Sequence, residues 1–583
     1  MGHDEEYLAG LGLKPEDFGR KDWSQVKPQH VWDRKSARPW LKNEGVALMA
    51  YYTRRFNCYV SAKMFTPLME AFDAANERKR EAPPGSDAAK QPLIYSFALR
   101  GCTFLYGGHS LDFFNFYRHA DNGFVYETSN RDPRIWSWDS YLCDVGRVVA
   151  PAMNKRQGIY IKPHRGAPLQ RMLAAVSRGV KMIYWYNFGP EYAKGDSFAA
   201  NPAAMLLTSK AAALLGKTED VLYDAEWAVP AEVALVNPRS SEIWKSLEPR
   251  DYGAASYENA KWTYTALAHA HIPVDPIDEA MLATGDLSRY RAIYILGPNL
   301  RRDAAEKVRD YVAVGGTLYT SGYGLVRDEG NRPLDILAPV LGLKQRTPPE
   351  MWRRVRGYRA TSLASFDDSK AVLAEPPAGA AVVGEGAYGA FQPVVGREKL
   401  DPVQEAEVLA RYKDGGPAVI RHRFGKGQAY VVSLFAGLEY SAEVRRPDFD
   451  MTTDFDKGIR AYLAAPAQAC GVTPVVDASS PTVEGVLLKN PKTGKHAVTL
   501  SNWAYRTTAR RKVTRMVRNR PRTSYRYVRA HAPQEDLRIH VRGAGAPRRV
   551  TSAILEKDLP FRKTPSGFQI DLPILEEGDV LLF

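Results

Sequence analysis

The chain has 583 residues, 45% hydrophobic and 25% charged, a balance that excludes wholesale disorder and, at ~150 residues each, calls for about three to four domains. No run approaches the ~18 apolar residues of a membrane span, and the four cysteines (Cys58, Cys102, Cys143, Cys470) form no C-x-x-C pair, which argues against a zinc knuckle or disulfide scaffold. The net charge is +14, but residues 501–550 alone hold fourteen Lys/Arg against Glu535 and Asp536, so +12 of it belongs to one C-terminal module.

The start, Met1-Gly-His-Asp-Glu-Glu6, is acidic and does not read as an export signal. A cytoplasmic location is the default expectation, with export if the natural start lies upstream. Residues 1–227 are rich in aromatics. Their first ninety residues read mainly as helix and loop, and Glu81-Ala-Pro-Pro-Gly-Ser86 as an exposed loop. Strands follow at Leu93-Ile-Tyr-Ser-Phe-Ala98, Phe104-Leu-Tyr106, Phe124-Val-Tyr126, Ile159-Tyr-Ile161 and Met182-Ile-Tyr-Trp-Tyr186, with a helix over 169–177 before the last. Strands alternating with helices predict a parallel α/β arrangement. Residues 228–470 open on the strand Glu232-Val-Ala-Leu-Val-Asn-Pro238. A helix over 257–269, a strand near 290–297, an amphipathic helix over 303–314 and a strand near 315–321 come next, then strand material over 416–427. That rhythm predicts a flavodoxin-like open sheet; residues 375–403, rich in Gly, Pro and Ala, read as an ordered insert or linker. From 471 to 583, short alternating strands with turns at Asn490-Pro-Lys-Thr-Gly494 and Pro565-Ser-Gly567 predict a small β-sandwich. Its arginines, as in Ser524-Tyr-Arg-Tyr-Val-Arg529 and Leu537-Arg-Ile-His-Val-Arg542, form either the solvated face of a sheet or an anion-binding face for acidic glycans, other polyanions or a partner. No nucleic-acid-binding signature accompanies them.

Ile293-Tyr-Ile-Leu-Gly-Pro-Asn299, Val308-Arg-Asp-Tyr-Val-Ala-Val-Gly-Gly-Thr317 and Gly416-Pro-Ala-Val through Gly425-Lys-Gly427 make the middle region resemble the trimerisation domain of family-42 β-galactosidases, itself similar to class I glutamine amidotransferases. Ser177-Arg-Gly-Val-Lys-Met-Ile-Tyr-Trp-Tyr-Asn-Phe-Gly189 looks like the last helix-to-strand step of that family's TIM barrel. The resemblance implies an α/β multidomain protein: a TIM-barrel-like, incomplete or divergent glycosidase domain (1–227), an amidotransferase-type assembly domain (228–470) and a closing Arg-rich sandwich (471–583). It also implies a carbohydrate substrate, acidic glycans among the options, and a homotrimer; no cofactor, metal, nucleic acid or membrane is expected. A barrel takes ~250 residues, so 1–227 reads as the C-terminal portion of a longer glycosidase-like protein or as a shortened variant.

Glycoside hydrolysis usually needs two carboxyl groups flanking the scissile bond, and barrels hold them at the C-terminal ends of strands. Glu127, directly after Phe124-Val-Tyr126, is the principal candidate; Asp139 and Glu5 are candidate partners, Glu5 because a Gly-x-Asp-Glu tail can follow barrel strand four. Each has a plainer alternative: a salt bridge of Glu127 with Arg131 or Arg147, a helix cap for Asp139, a solvated tail for Glu5. Tyr126, Trp136, Trp138, His109, Lys162, Trp185 and Asn187 are candidate substrate contacts, aromatic faces serving to stack sugar rings. Two features favour a non-catalytic carbohydrate-binding or scaffold protein: the barrel is short, and Ile159-Tyr-Ile ends in Lys162 where family-42 enzymes carry the nucleophilic Glu. A third alternative is an amidotransferase, which needs a Cys on the turn Leu318-Tyr-Thr-Ser-Gly-Tyr-Gly324; the turn offers only Ser321.

Overall fold

The computed structural model describes residues 2–28, 43–63, 66–90, 98–99, 112–119, 125–127, 132–149, 158–190, 197–247, 251–355, 371–517 and 520–583. The N-terminal part carries the helices Glu44–Lys63 and Thr66–Arg80, where the sequence suggests helix and no strand. Four parallel strands follow: Ala98–Leu99, Val125–Glu127, Gly158–Ile161 and Met182–Trp185. They pair in sequential order, as an open arc of a barrel wall would. Period-two alternation sorts their side chains. Ile159 and Ile161 are fully buried and pack with Met172 and Leu173 of the helix Pro168–Val176, and Ile183 and Trp185 lean on the same core. The alternate positions, Tyr160 and Tyr184, take the opposite face. The expected strand at Phe104-Leu-Tyr106 lies outside the described residues.

The middle region holds an eight-stranded mixed sheet. Val233–Asn237 lies between Val274–Asp278 and Ala292–Tyr294, and Thr317–Ser321 and Gly427–Val432 extend the parallel part. Val233, Ala234, Leu235 and Val236 are all buried, as a parallel strand covered on both faces demands. Pro417–Phe424, Glu407–Tyr412 and Val382–Gly384 continue it antiparallel, so part of the Gly/Pro-rich insert supplies an edge strand. Chain order across the parallel part reverses at Val233–Asn237, the doubly wound arrangement.

The C-terminal region builds two antiparallel sheets of four and six strands around one apolar core that includes Val498, Ile539, Phe568 and Leu581. The six-stranded sheet recruits Glu226–Trp227, which pairs with Val483–Lys489; the last residues of the first region therefore belong physically to the last sheet. A separate ribbon, Tyr505–Val517 with Arg520–His531, joins neither sheet; at its root Arg506 makes one isolated antiparallel bridge with Asp450. The two Arg-rich segments thus part company: Ser524–Arg529 lies in the ribbon, whereas Leu537, Ile539 and Val541 are buried in the four-stranded sheet. Among the described residues no helix is long and apolar enough to cross a membrane.

Candidate functional site

The C-terminal ends of the four-stranded arc converge on one edge. Glu127 closes its strand and stands opposite Tyr160 in register; Tyr126 stands opposite Ile159. Tyr160 faces Tyr184 edge-on at 5.1 Å and lies 5.3 Å from Tyr186, so three phenol rings from two adjacent strand ends form one half-buried wall. Lys162, directly after its strand and buried, sets its ammonium 4.7 Å from the Tyr186 ring centroid, a cation–π contact. Asn187 follows at once, and its carbonyl accepts the Phe198 amide at 2.9 Å, which closes the loop beyond the wall. A wall of phenols with a cation beside it offers flat apolar faces rimmed by hydroxyls, suited to the faces and edges of a pyranose.

Of the residues singled out from the sequence, Glu127, Lys162 and Asn187 therefore gather at one end of the arc. Tyr160, Tyr184 and Tyr186 were missed as site residues. Their signal was the alternation itself: Tyr160 and Lys162 share one parity of their strand, Tyr184 and Tyr186 one parity of the next. His109 lies outside the described residues, and of Glu127 and Tyr126 the backbone position alone is described.

Of five others, the structure corrects the reading of four and places the fifth, Glu5, on an exposed helix. Asp139 has no exposed surface; it sits in the helix Trp138–Val149 and faces the equally buried Arg171 at 3.5 Å. Burial raises its pKa to about 6, against the opposing pull of Arg171. It is an interior ion-pair partner, beyond the reach of a sugar. Trp136 is buried edge-on against Tyr505 at 4.8 Å, and its ring lies so close to Gly166 that an added Cβ there would meet it at 2.3 Å. Trp138 packs on Trp262 at 5.3 Å and donates its indole N–H to Thr265 at 3.0 Å. Both indoles fill the seams between regions and leave no face for stacking. Trp185 points to the helix side with Ile161 because of strand parity. Glu5 sits on the exposed helix Gly2–Gly10.

The charges that follow Glu127 in sequence have structural partners. Arg134 chelates Asp132 at 2.6 and 2.9 Å and donates to the Val444 and Arg446 carbonyls. Arg147 bridges Asp144 at 2.9 Å and Asp275 at 2.7 Å, and stacks 3.6 Å from the Trp227 ring centroid. Arg178 pairs with Asp144 at 2.9 Å and with Glu484, whose carboxylate also accepts from Ser140 and Trp503 at 2.8 Å. This clasp joins all three regions. Ser321, at the amidotransferase turn, is fully buried and accepts from Asn259 at 2.9 Å. Among the described residues no histidine hydrogen-bonds to it, so it lacks the base that a serine nucleophile requires. Nor does any group of three or more His, Cys, Asp or Glu among them gather to hold a metal.

Residues 231–446 match the family described as the β-galactosidase trimerisation domain. A β-galactosidase from Rahnella sp. R3 superposes with TM-score 0.63 at 16% identity, covering 100% of this chain and 75% of that one. The chain is family-42-like. A catalytic variant of a family-42 β-galactosidase from G. stearothermophilus gives TM-score 0.63 at 13% identity, covering 99% and 75% of the two chains. The β-galactosidase from Bacillus circulans sp. alkalophilus gives 0.58 at 15%, covering 92% and 68%. At such identities the likeness is one of fold: a multidomain α/β chain of the family-42, TIM-barrel type. No curated protein is similar to it in sequence. The strand Gly158–Ile161 is followed directly by Lys162.

Proposed function

We propose that this family-42-like chain is a glycoside hydrolase-like protein that binds an oligo- or polysaccharide across the Tyr160–Tyr184–Tyr186 wall and hydrolyses a glycosidic bond, with Glu127 its principal carboxylate. The observation that carries the reading is the place of Glu127: last residue of a parallel strand, in register with Tyr160, at the edge where barrels do their chemistry. A carboxyl group there donates a proton to the leaving oxygen or activates water; a second carboxyl group completes the pair. With Asp139 withdrawn into an ion pair, Glu5 is the remaining candidate from the sequence. Lys162 binds a substrate oxygen or a carboxylate. The middle region, read as an amidotransferase-type module without its nucleophile, assembles a homotrimer; sedimentation as a monomer alone would count against that.

A second reading has its own observation. By the family resemblance a nucleophilic Glu is expected where Lys162 stands, and a cation cannot attack an anomeric carbon as a carboxylate does, which favours a carbohydrate-binding protein without hydrolytic activity. One experiment separates the two. Wild type and Glu127→Gln are assayed against aryl glycosides and natural polysaccharides, with binding measured in parallel. Hydrolysis lowered at least ~100-fold by the substitution, with binding retained, supports the enzyme. Equal inactivity of both proteins with binding intact establishes the second reading, and absence of any carbohydrate binding sinks both.

A further inference from the structure

The ribbon Tyr505–Val517/Arg520–His531 is the feature that the proposed chemistry leaves unused. Residues 505–531 contain ten Lys/Arg and no Asp or Glu, so this one hairpin carries most of the chain's +14. At ~3.4 Å per residue its twelve-residue second strand is about 40 Å long. It joins neither C-terminal sheet, and a lone two-stranded hairpin is marginally stable in water. Its register makes matters worse: Arg511 lies directly opposite Arg526, placing like charges where cross-strand pairs repel. Arg511, Lys512 and Arg526 are exposed, and no carboxylate among the described residues pairs with them. Tyr525 is 51% exposed with the Arg510 guanidinium 3.5 Å from its ring centroid.

The root, by contrast, is firmly planted. Tyr505 is buried against Trp136, the Thr507 amide donates to the Phe449 carbonyl at 2.8 Å, and Arg529 lies over the Phe449 ring and 3.7 Å from Asp132. Asp132 is five residues beyond Glu127, so the two backbones lie within about 18 Å of each other. The root of the ribbon is therefore tied to a residue within that chain length of Glu127.

We propose that this ribbon is a binding arm for an anionic polysaccharide, sulfated or uronate-bearing, whose chain continues from the strand-end site along the arm; the assignment of the occupant as a glycan rests on the carbohydrate reading of that site. Oxyanions between the opposed arginines neutralise the repulsion, and guanidinium forks bind such groups bidentately. Charge lies on both faces, with the Arg511–Arg526 pair on one and Arg510 and Lys512, paired with tyrosines, on the other. A flexible linear polyanion can engage both faces, whereas a DNA duplex, stiff over ~150 base pairs, presses on one.

The test uses the full chain and the triple variant Arg511→Ser/Lys512→Ser/Arg526→Ser, with binding measured at three salt concentrations. The probes are a sulfated galactan, polygalacturonate, a neutral galactan, and duplex and single-stranded DNA. The expected result is binding of at least one of the two anionic glycans by wild type, weakened by salt and at least tenfold weaker in the variant, with neutral-galactan binding and circular dichroism unchanged. The glycan bound identifies sulfate or carboxylate as the recognised group. Unchanged affinity in the variant, no binding of either anionic glycan by wild type, or tighter binding of either DNA at matched charge and salt would overturn the proposal. So would a change of oligomeric state in the variant without loss of glycan binding, which would make the ribbon a contact between copies. The readout is binding, so absent hydrolysis would sink the enzyme reading alone.

Discussion

Arg178 offers the sharpest test of how the three regions hold together. Its buried guanidinium meets Asp144 at 2.9 Å and Glu484 on the other side, joining the arc's flanking helix to the C-terminal sheet. At an effective dielectric of about 20, one such contact at 2.9 Å carries roughly 6 kcal/mol of gross attraction. Most of that offsets the desolvation of the charges, so the informative quantity is the cost of removing one partner. In Arg178→Met the Asp144 carboxylate keeps Arg147 and the Tyr264 hydroxyl at 3.2 Å. Glu484 keeps only the neutral donors Ser140 and Trp503 for a charge that is 14% exposed. Breaking a buried pair in this way costs about 3–5 kcal/mol. Global unfolding of a multidomain chain is not two-state, so the assay is hydrogen exchange of the strand Val483–Lys489, whose exchange through local opening should quicken about 10²- to 10⁴-fold. Combining Arg178→Met with Glu484→Gln removes the stranded charge and should recover part of the loss. A single substitution costing under about 1 kcal/mol, or double-variant effects additive within about 0.5 kcal/mol, would refute the clasp.

Two further outcomes follow from the same geometry. Asp139→Asn should leave carbohydrate binding unchanged while destabilising the fold by about 3 kcal/mol, because Arg171 loses its interior counter-charge; lost binding in a protein of unaltered stability would return Asp139 to the site. Glu279 is buried, bonded to the Ser240 hydroxyl at 2.9 Å, and burial lifts its pKa to about 7. The folded state thus holds this proton more tightly than the unfolded chain. The contribution is full below about pH 4.5 and lost as pH rises to about 7, a change of about 3 kcal/mol. Glu279→Gln should flatten that part of the stability profile, and parallel profiles for the two proteins would contradict the assignment.

The parts legible in the sequence were those where one local rule decides the outcome. Glu232-Val-Ala-Leu-Val-Asn237 reads as a strand because an unbroken apolar run buries both faces, and the helix over 302–313 because its apolar stripe recurs at helical spacing. The site was half legible. Glu127 and Lys162 end strands, and strand ends can be found by eye. Trp136, Trp138 and Asp139 were drawn in by residue type, since indoles and a carboxylate near a strand end look alike whether they face a ligand or a neighbouring domain. What separates the cases is non-local: Tyr505, Trp262 and Arg171 lie 369, 124 and 32 residues away in sequence, and no window contains them. The ribbon was hidden for the converse reason. Its alternation is that of any half-buried strand, and only the sheet topology shows that, among the described residues, neither C-terminal sheet takes it up.

Strand parity explains why the tyrosines of the wall share one face. A sugar-facing aromatic must stay partly wet, and a phenol keeps its hydroxyl solvated at half burial without leaving an orphaned donor. A buried indole gains from a fixed acceptor: Trp138 finds Thr265, Trp227 the Ser177 carbonyl, Trp244 the Glu329 carbonyl and Trp503 Glu484, whereas the Trp262 N–H has none among the described residues. Of these bonds, Trp138–Thr265 crosses from the first region to the middle one. The aromatics of residues 1–227 named above thus divide into two jobs: Tyr160, Tyr184 and Tyr186 form the wall, and Trp136 and Trp138 pack against residues of other regions.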